Sequence, residues 1–299
     1  MHCLRTLRKD LSYPGDGGKI LSLDQKLEKL RKIISAYGSC LVAFSGGVDS
    51  AFLLKIASLV LPKNKLLAVT ANSPTFPKEE LQAAKGIAKK LAIRHKIIRT
   101  KEFKNKRFVS NPINRCYFCK KGLFNTLNRI AKKLKLNFVI DAGNLSDKTD
   151  FRAGEMAKKE LKIRSPLCDA GLTKEDIRRL SKRLGLDTWN KPSLACLASR
   201  IPYGVPISRQ LLRRIHKAEA CLKNIGIKQV RLRHYNGLCR IEVSNNDIAR
   251  LINKRSWVVE KLKRLGYNYI TLDLEGYRTG SMNEKINIKY YRQKPVEKD

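Results

Sequence analysis

Leu41-Val42-Ala43-Phe44-Ser45-Gly46-Gly47-Val48-Asp49-Ser50 is the stretch on which the reading of this chain turns. Leu41 to Phe44 is a short apolar run that suits a strand buried on both faces. Ser45 to Ser50 is a tight polar turn, and Ala51 to Leu61 resumes with an apolar, helix-like pattern. A strand, a Gly-Gly turn and a helix N-terminus together make an anion site. Glycines let backbone N–H groups approach a phosphate, and the helix dipole favours negative charge. Ser45 and Ser50 add hydroxyl donors, and Asp49 is placed to hold Mg²⁺ or to cap the helix. An ordinary βα turn would use Gly46 and Gly47 only for positive φ; the six-residue string in this setting favours phosphate. It is not a Walker A loop, because no Gly-Lys-Ser/Thr follows at the required spacing.

Outward from this stretch, strands alternate with helices. Ser22 with Gln25 reads as a capping box opening a helix over about 23–36. Strands are expected at 66–71, 94–100 and 138–142, and helices at 78–91, 115–134, 154–161 and 174–184, the last capped by Thr173 with Asp176. This rhythm predicts an α/β fold with a doubly wound parallel sheet. Ligands of such sheets bind outside the carboxyl ends of the strands. The turns at 45–50, 72–74 and 143–147 therefore share one edge, which makes Asn72 and Gly143 candidate nucleotide contacts beside Ser45, Gly46, Gly47, Asp49 and Ser50.

Pro192, Pro202 and Gly204 break the pattern between Trp189 and Val205, and a domain boundary is placed there. A smaller α+β domain of antiparallel type follows: a helix over 209–225, strands at 230–235, 238–243 and 269–274, and one helix over 246–265. Asn236-Gly237 is a strong hairpin signal. The expected organisation is a loose basic leader (1–21), a nucleotide-binding domain (22–190), a substrate-binding and oligomerisation domain (191–288) and a tail (289–299).

The 299 residues are enough for a large core, with 42% hydrophobic and 30% charged residues. No apolar run approaches the roughly 20 residues needed to span a bilayer, and no signal peptide is read, so the expected location is cytoplasmic without membrane contact. Sixty-three Lys and Arg against 26 Asp and Glu give a net charge of +37. Such a field attracts nucleotides and nucleic acid. The basic residues are dispersed through the chain, which favours a general compositional bias over a dedicated RNA-binding stripe.

Eight cysteines in this setting are not a secreted disulfide framework. Cys116 and Cys119 form a C-x-x-C pair entering a helix, with Arg115, Lys120 and Lys121 beside them. That placement is expected to lower the thiol pKa values and favour thiolates. Cys196 lies in the irregular segment after the sheet, where a functional loop would fall. Three thiols could ligate a 4Fe–4S cluster and leave one iron open. Cys3, Cys40, Cys168, Cys221 and Cys239 read as small buried hydrophobes.

The Ser-Gly-Gly-Val-Asp-Ser string resembles the loop of the PP-loop ATP pyrophosphatases, which hold the β,γ-pyrophosphate of ATP while a substrate oxygen attacks the α-phosphate. Arg115-Cys116-Tyr117-Phe118-Cys119-Lys120, Asp141-Ala142-Gly143-Asn144-Leu145-Ser146-Asp147 and Trp189-Asn190-Lys191-Pro192, followed by Ala195-Cys196-Leu197-Ala198-Ser199-Arg200, are similar in one collinear pass to the ATP-dependent sulfur transferases of the LarE family. The resemblance implies adenylation of a carboxylate of pyridinium-3,5-biscarboxylic acid mononucleotide and its conversion to a thiocarboxylate, a precursor of a nickel-pincer nucleotide. It implies ATP and Mg²⁺ as cofactors, with Cys116, Cys119 and Cys196 as catalytic thiols and ligands of a 4Fe–4S cluster. Other members give up the sulfur of a single cysteine, a role that would fall to Cys196. Arg231, Arg233 and Arg200 are implied for the substrate phosphate, Glu242 as a second metal position beside Asp49, and a homohexamer as the assembly. The rivals are a PP-loop tRNA thiolase, an ammonia-using amide synthetase of the NAD or GMP synthetase type, and a non-catalytic nucleic-acid binder.

Overall fold

Cys40-Leu41-Val42-Ala43 forms a strand because its side chains are covered alternately from two sides. The computed structural model of the chain describes residues 21–149, 153–192 and 195–284; the expected tail and all of the expected leader but Leu21 lie outside these. In order, the first part runs α1 (Leu23–Tyr37), β1 (Cys40–Ala43), α2 (Val48–Val60), β2 (Leu66–Asn72), α3 (Lys78–Lys90), β3 (His95–Arg99), α4 (Lys106–Val109) and α5 (Arg115–Lys133). It continues with β4 (Phe138–Ile140), α6 (Gly154–Glu160), α7 (Pro166–Asp169) and α8 (Lys174–Arg183). Both expected capping boxes are formed, Ser22 with Gln25 and Thr173 with Asp176.

The four strands are parallel in the order β3-β2-β1-β4. Leu41 faces Leu67, Val69, Val139 and the α5 residues Phe124 and Leu127. Its neighbours Cys40 and Val42 face the other way, toward Leu30 and Ile34 of α1, Phe52 and Ile56 of α2, and Leu180 of α8. The sheet is thus doubly wound, and the strand order reverses at β1, where a ligand cleft is expected. Phe52, Leu53, Leu54 and Ile56 are fully buried, so α2 is apolar all round and anchored by about 1.5–3 kcal/mol per such side chain. The phosphate-loop candidate therefore sits at the head of a firmly held helix.

The second part comprises α9 (Arg209–Asn224), β5 (Val230–Tyr235), β6 (Leu238–Val243), α10 (Asn245–Asn253), α11 (Arg255–Arg264) and β7 (Tyr269–Leu272). β5 and β6 form the expected hairpin, and Asn236 and Gly237 both adopt positive φ. The antiparallel expectation fails at β7, which pairs parallel to β6. The reason is the connection: α10 and α11 carry the chain back along the sheet, as a parallel neighbour requires. The single helix expected over 246–265 is two helices, interrupted at Lys254. Phe108 packs with Leu197, Ile201, Ile207, Leu212 and Ile215, so one apolar cluster joins the first part to the start of the second.

Candidate functional site at the carboxyl edge of the parallel sheet

The turn after β1 is shaped by close approach. Gly46 has φ +74°, and a Cβ there would lie 3.0 Å from Cβ and 3.1 Å from Cα of Ala84 on α3. Only glycine satisfies both the left-handed backbone and this contact. Ser50 Oγ accepts from Ser45 N at 3.3 Å, donates to the Gly47 carbonyl at 3.2 Å and lies 3.0 Å from Ser45 Oγ. The helix starts at Val48, earlier than expected, which puts Asp49 and Ser50 in its first turn. Asp49 pairs through Oδ2 with the Lys174 ammonium, while its buried Oδ1 has no partner among the described residues. Lys191 reaches over the turn to the Gly46 carbonyl (3.3 Å) and to Glu80 (2.7 Å).

A cavity of about 140 Å³ opens beside this turn, at the ends of β1 and β2, lined by Phe44, Ser45, Thr70, Asn72, Ser73 and Phe76 among others. Gly143 lies beyond β4, the other neighbour of β1. Its N–H donates to Asp141 Oδ1, which also accepts from Ser165 Oγ at 2.6 Å. A side chain at 143 would come within 2.7 Å of the Lys158 amine. Burial opposes the charge on Lys158 most strongly, but the carboxylates of Asp141 and Glu155 together outweigh it and hold the amine above its ordinary pKa.

The three thiols singled out in the sequence are neighbours. Cys119 and Cys196 pack against the cluster of Phe108, Ile201 and Ile207, and Cys116 is exposed on the first turn of α5. The Leu197 N–H donates to the Thr75 carbonyl at 2.8 Å, tying the Cys196 segment to the loop after β2. The lowering expected of the C-x-x-C thiols is reversed at Cys119. Burial drives Cys119 upward, with Cys196, Glu102 and Cys116 adding to it and Lys120 only partly opposing. Burial likewise raises Cys196, against a hydrogen bond with the Thr75 side chain. A helix terminus and flanking lysines cannot offset the loss of water around a thiolate. Cys40 and Cys239 are fully buried, and burial pushes each up to about 12, as befits small hydrophobes; Cys3 lies outside the described residues.

Ser73 Oγ donates to Glu102 and lies 2.6 Å from Thr75 Oγ1, while the buried Glu102 Oε2 has no partner among the described residues. Sequence reading missed Thr75, Glu80, Glu102, Lys174 and Lys191. Of these, only Lys174, just after a capping threonine, and Lys191, before a proline, carried a local signal.

The arginines of the second part are held differently. Arg200 is 2% exposed; its Nε and Nη2 donate to Glu219 at 2.8 and 3.0 Å, and its Nη1 to the Ala195 and Cys196 carbonyls. Expected at the substrate phosphate, it braces the Cys196 segment in this structure. Arg231 and Arg233 are both buried on β5. Arg233 donates to both oxygens of Glu242, to the Ser199 carbonyl and to Ser281. The Arg231 guanidinium lies 5.1 Å from the Tyr277 ring centroid, and burial, with Arg200 nearby, lowers its pKa. Glu242, expected as a metal position, is 0% exposed, and its oxygens accept from Arg233, Arg240 and Ser281. A metal there would have to displace Arg233.

A parallel sheet in this order, with a Ser-Gly-Gly turn between its first strand and the following helix, fits an α/β domain of the PP-loop type. The family model described as NAD synthase matches residues 22–130. A Synechocystis sp. protein described as uncharacterized is 41% identical over 266 residues, 88% of this chain and 99% of its own. The pyridinium-3,5-bisthiocarboxylic acid mononucleotide synthase of Lactiplantibacillus plantarum is 35% identical over 245 residues, 82% of this chain and 89% of its own. An uncharacterized protein of Methanocaldococcus jannaschii is 30% identical over 264 residues, 87% of this chain and 98% of its own. This chain belongs to the family of the pyridinium-3,5-bisthiocarboxylic acid mononucleotide synthase. Among the described residues no helix is long and apolar enough to cross a membrane.

Proposed function

We propose that this chain is an ATP-dependent sulfurtransferase that adenylates a carboxylate of pyridinium-3,5-biscarboxylic acid mononucleotide and converts it to a thiocarboxylate for nickel-pincer nucleotide synthesis. One observation carries the reading. Asn72 and Ser73 line the cavity beside the phosphate turn, and two residues on the Thr75 carbonyl receives the N–H next to Cys196. Nucleotide activation and thiol chemistry thus meet on one short loop, supported by the 35% identity to a thiocarboxylate-forming synthase.

The amides and hydroxyls of Ser45, Gly46, Gly47 and Ser50 receive the pyrophosphate of ATP. The partnerless Asp49 Oδ1 fits Mg²⁺; Glu242, already saturated, does not. A substrate carboxylate oxygen attacks the α-phosphorus, pyrophosphate leaves, and an acyl-adenylate remains. A sulfide nucleophile then attacks the acyl carbon and AMP departs. Cys116, Cys119 and Cys196 match a 4Fe–4S cluster in chemistry, since thiols that raise one another's pKa are relieved by a cation. Among the described residues, however, no three His, Cys, Asp or Glu side chains stand at metal-holding separation, so the set would have to close on loading. When bound there, the cluster would supply the sulfide. Arg231, between the braced Arg200 and Arg233, is assigned to the substrate phosphate, and the assembly to a homohexamer.

The test is anaerobic incubation of the iron- and sulfide-reconstituted chain with ATP·Mg²⁺ and the mononucleotide. AMP and pyrophosphate should form only with both present, and the product should gain the mass of sulfur for oxygen. Cys196→Ala should keep AMP formation and lose sulfur transfer. AMP formation on tRNA, with none on the mononucleotide, would make the chain a tRNA thiolase; loss of one sulfur from Cys196 after turnover would replace the cluster with a sacrificial cysteine.

A further inference from the structure

We propose that Tyr277 is a specificity-determining residue that reads the positive charge of the substrate's pyridinium ring: its face covers the Arg231 guanidinium in this structure and turns to the cationic ring once the substrate phosphate has taken Arg231. The inference rests on the assignment of Arg231 to that phosphate and adds the contact that tells one mononucleotide from another.

Alternation along β5 puts Arg231 and Arg233 on one face of the second sheet, while Val230 and Leu232 face its apolar core. Two segments cover the charged face. One carries Ser199 and Arg200; the other follows β7 and carries Tyr277 and Ser281. The backbone places Tyr277 there. Gly276 has φ +71°, and a Cβ on it would lie 2.5 Å from Asn245 Oδ1 and 2.8 Å from the Val243 carbonyl oxygen. The Tyr277 N–H donates to that same carbonyl at 2.8 Å. The main chain is therefore pinned, and rotation about the side-chain bonds is what moves the ring. Tyr277 is partly exposed, whereas Arg231 beneath it is buried.

One Arg231 nitrogen donates to the Val230 carbonyl at 2.8 Å. Arg200 and Arg233 oppose its charge, and the nearby Glu219 already accepts from Arg200 through both oxygens and from the Leu232 N–H. An aromatic face is a weaker partner for a guanidinium than a phosphate held by bidentate, charge-assisted hydrogen bonds. The phosphate therefore displaces the ring. The same face then has a second cation within reach, because only a ribose separates the phosphate from the pyridinium nitrogen. Stacking on a planar, delocalised cation is the contact Tyr277 already makes. Arg200 also donates to the Cys196 carbonyl at 3.2 Å, which sets this exchange beside the thiol segment.

The test compares wild type with Tyr277→Leu and Tyr277→Phe, each variant first shown to melt cooperatively. Calorimetry follows three probes: ribose 5-phosphate, nicotinic acid mononucleotide with its cationic ring, and the neutral dihydropyridine form of that nucleotide. The surrounding arginines repel a cationic ring, so a preference for it requires a specific partner. Wild type should prefer the cationic ring about fivefold. Tyr277→Phe should keep that preference and Tyr277→Leu should lose it. Tyr277→Leu should also bind ribose 5-phosphate at least as tightly as wild type, because no ring has to be displaced. Wild type without the preference overturns the inference, as does a folded Tyr277→Leu that keeps it or that binds ribose 5-phosphate more weakly. Arg231→Met that binds ribose 5-phosphate as wild type does, or wild type that binds none of the probes, overturns the phosphate assignment beneath it.

Discussion

The phosphate turn and the arginine cluster are both rich in charge, yet they are built on opposite principles. At the turn, among the described residues, Asp49 leaves a buried oxygen unpaired, two hydroxyls lean on each other, and Lys174 pairs with Asp49 alone. In the cluster, Glu242 is 0% exposed and meets two guanidiniums and a hydroxyl, and Arg200 donates from all three nitrogens. Unmet hydrogen-bonding capacity is costly in a folded core, and a ligand that completes it recovers that cost. Full satisfaction marks a structural joint. On the proposed function the first region receives the nucleotide, while the second holds the Cys196 segment against β5.

Substitutions should separate the two regions. The largest stability effect is expected at Glu242→Gln, which leaves Arg233 buried without its charged partner and costs roughly 3–5 kcal/mol; denaturant unfolding would show it. Asp49→Ala should do the reverse, with a melting temperature near wild type and AMP-forming turnover about 100- to 1,000-fold lower. Comparable damage to stability and turnover in either variant would erase the distinction drawn here. Gly46→Ala should cost about 1–3 kcal/mol through its left-handed φ and the backbone of Ala84, and should weaken nucleotide binding as well.

The smallest effect is a pH dependence set by two histidines, His95 against Phe44 and Thr70 and His234 on β5. Burial lowers the pKa of His95, with Lys85 adding to it, and burial lowers His234, with Arg214 adding. The unfolded chain takes up protons as pH falls through about 6.5, while the folded protein refuses them until lower pH. Stability from these residues is therefore complete above that range and declines below it, by at most about 1.4 kcal/mol per pH unit for each. Melting scans from pH 8 to 5 should show the decline, and the double variant His95→Asn, His234→Asn should flatten it.

Much of the parallel sheet was legible, because apolar strand runs, capping boxes and Gly-Gly punctuation are local signals. The orientation of β7 was not, since strand direction depends on how α10 and α11 return the chain. The thiols were legible as a C-x-x-C and a third cysteine, but their protonation was not. Helix position is written locally, whereas the burial of Cys119 is created by Phe108 and Cys196 from distant segments. The bracing of Arg200 was not legible for the same reason, because its partner Glu219 lies on a helix that begins after it. Thr75 and Glu102 had no motif at all; only their meeting around Ser73 distinguishes them.

Asn111 adds a constraint on biogenesis. Its amide donates to the Pro202 and Val205 carbonyls, and its own carbonyl accepts from Gly204, just ahead of the helix carrying Cys116 and Cys119. On the ribosome, those two cysteines emerge some 80 residues before Cys196 and before the segment that fastens them. A nascent chain therefore exposes an unanchored dithiol, and the three-thiol set exists only after the second part has begun to emerge.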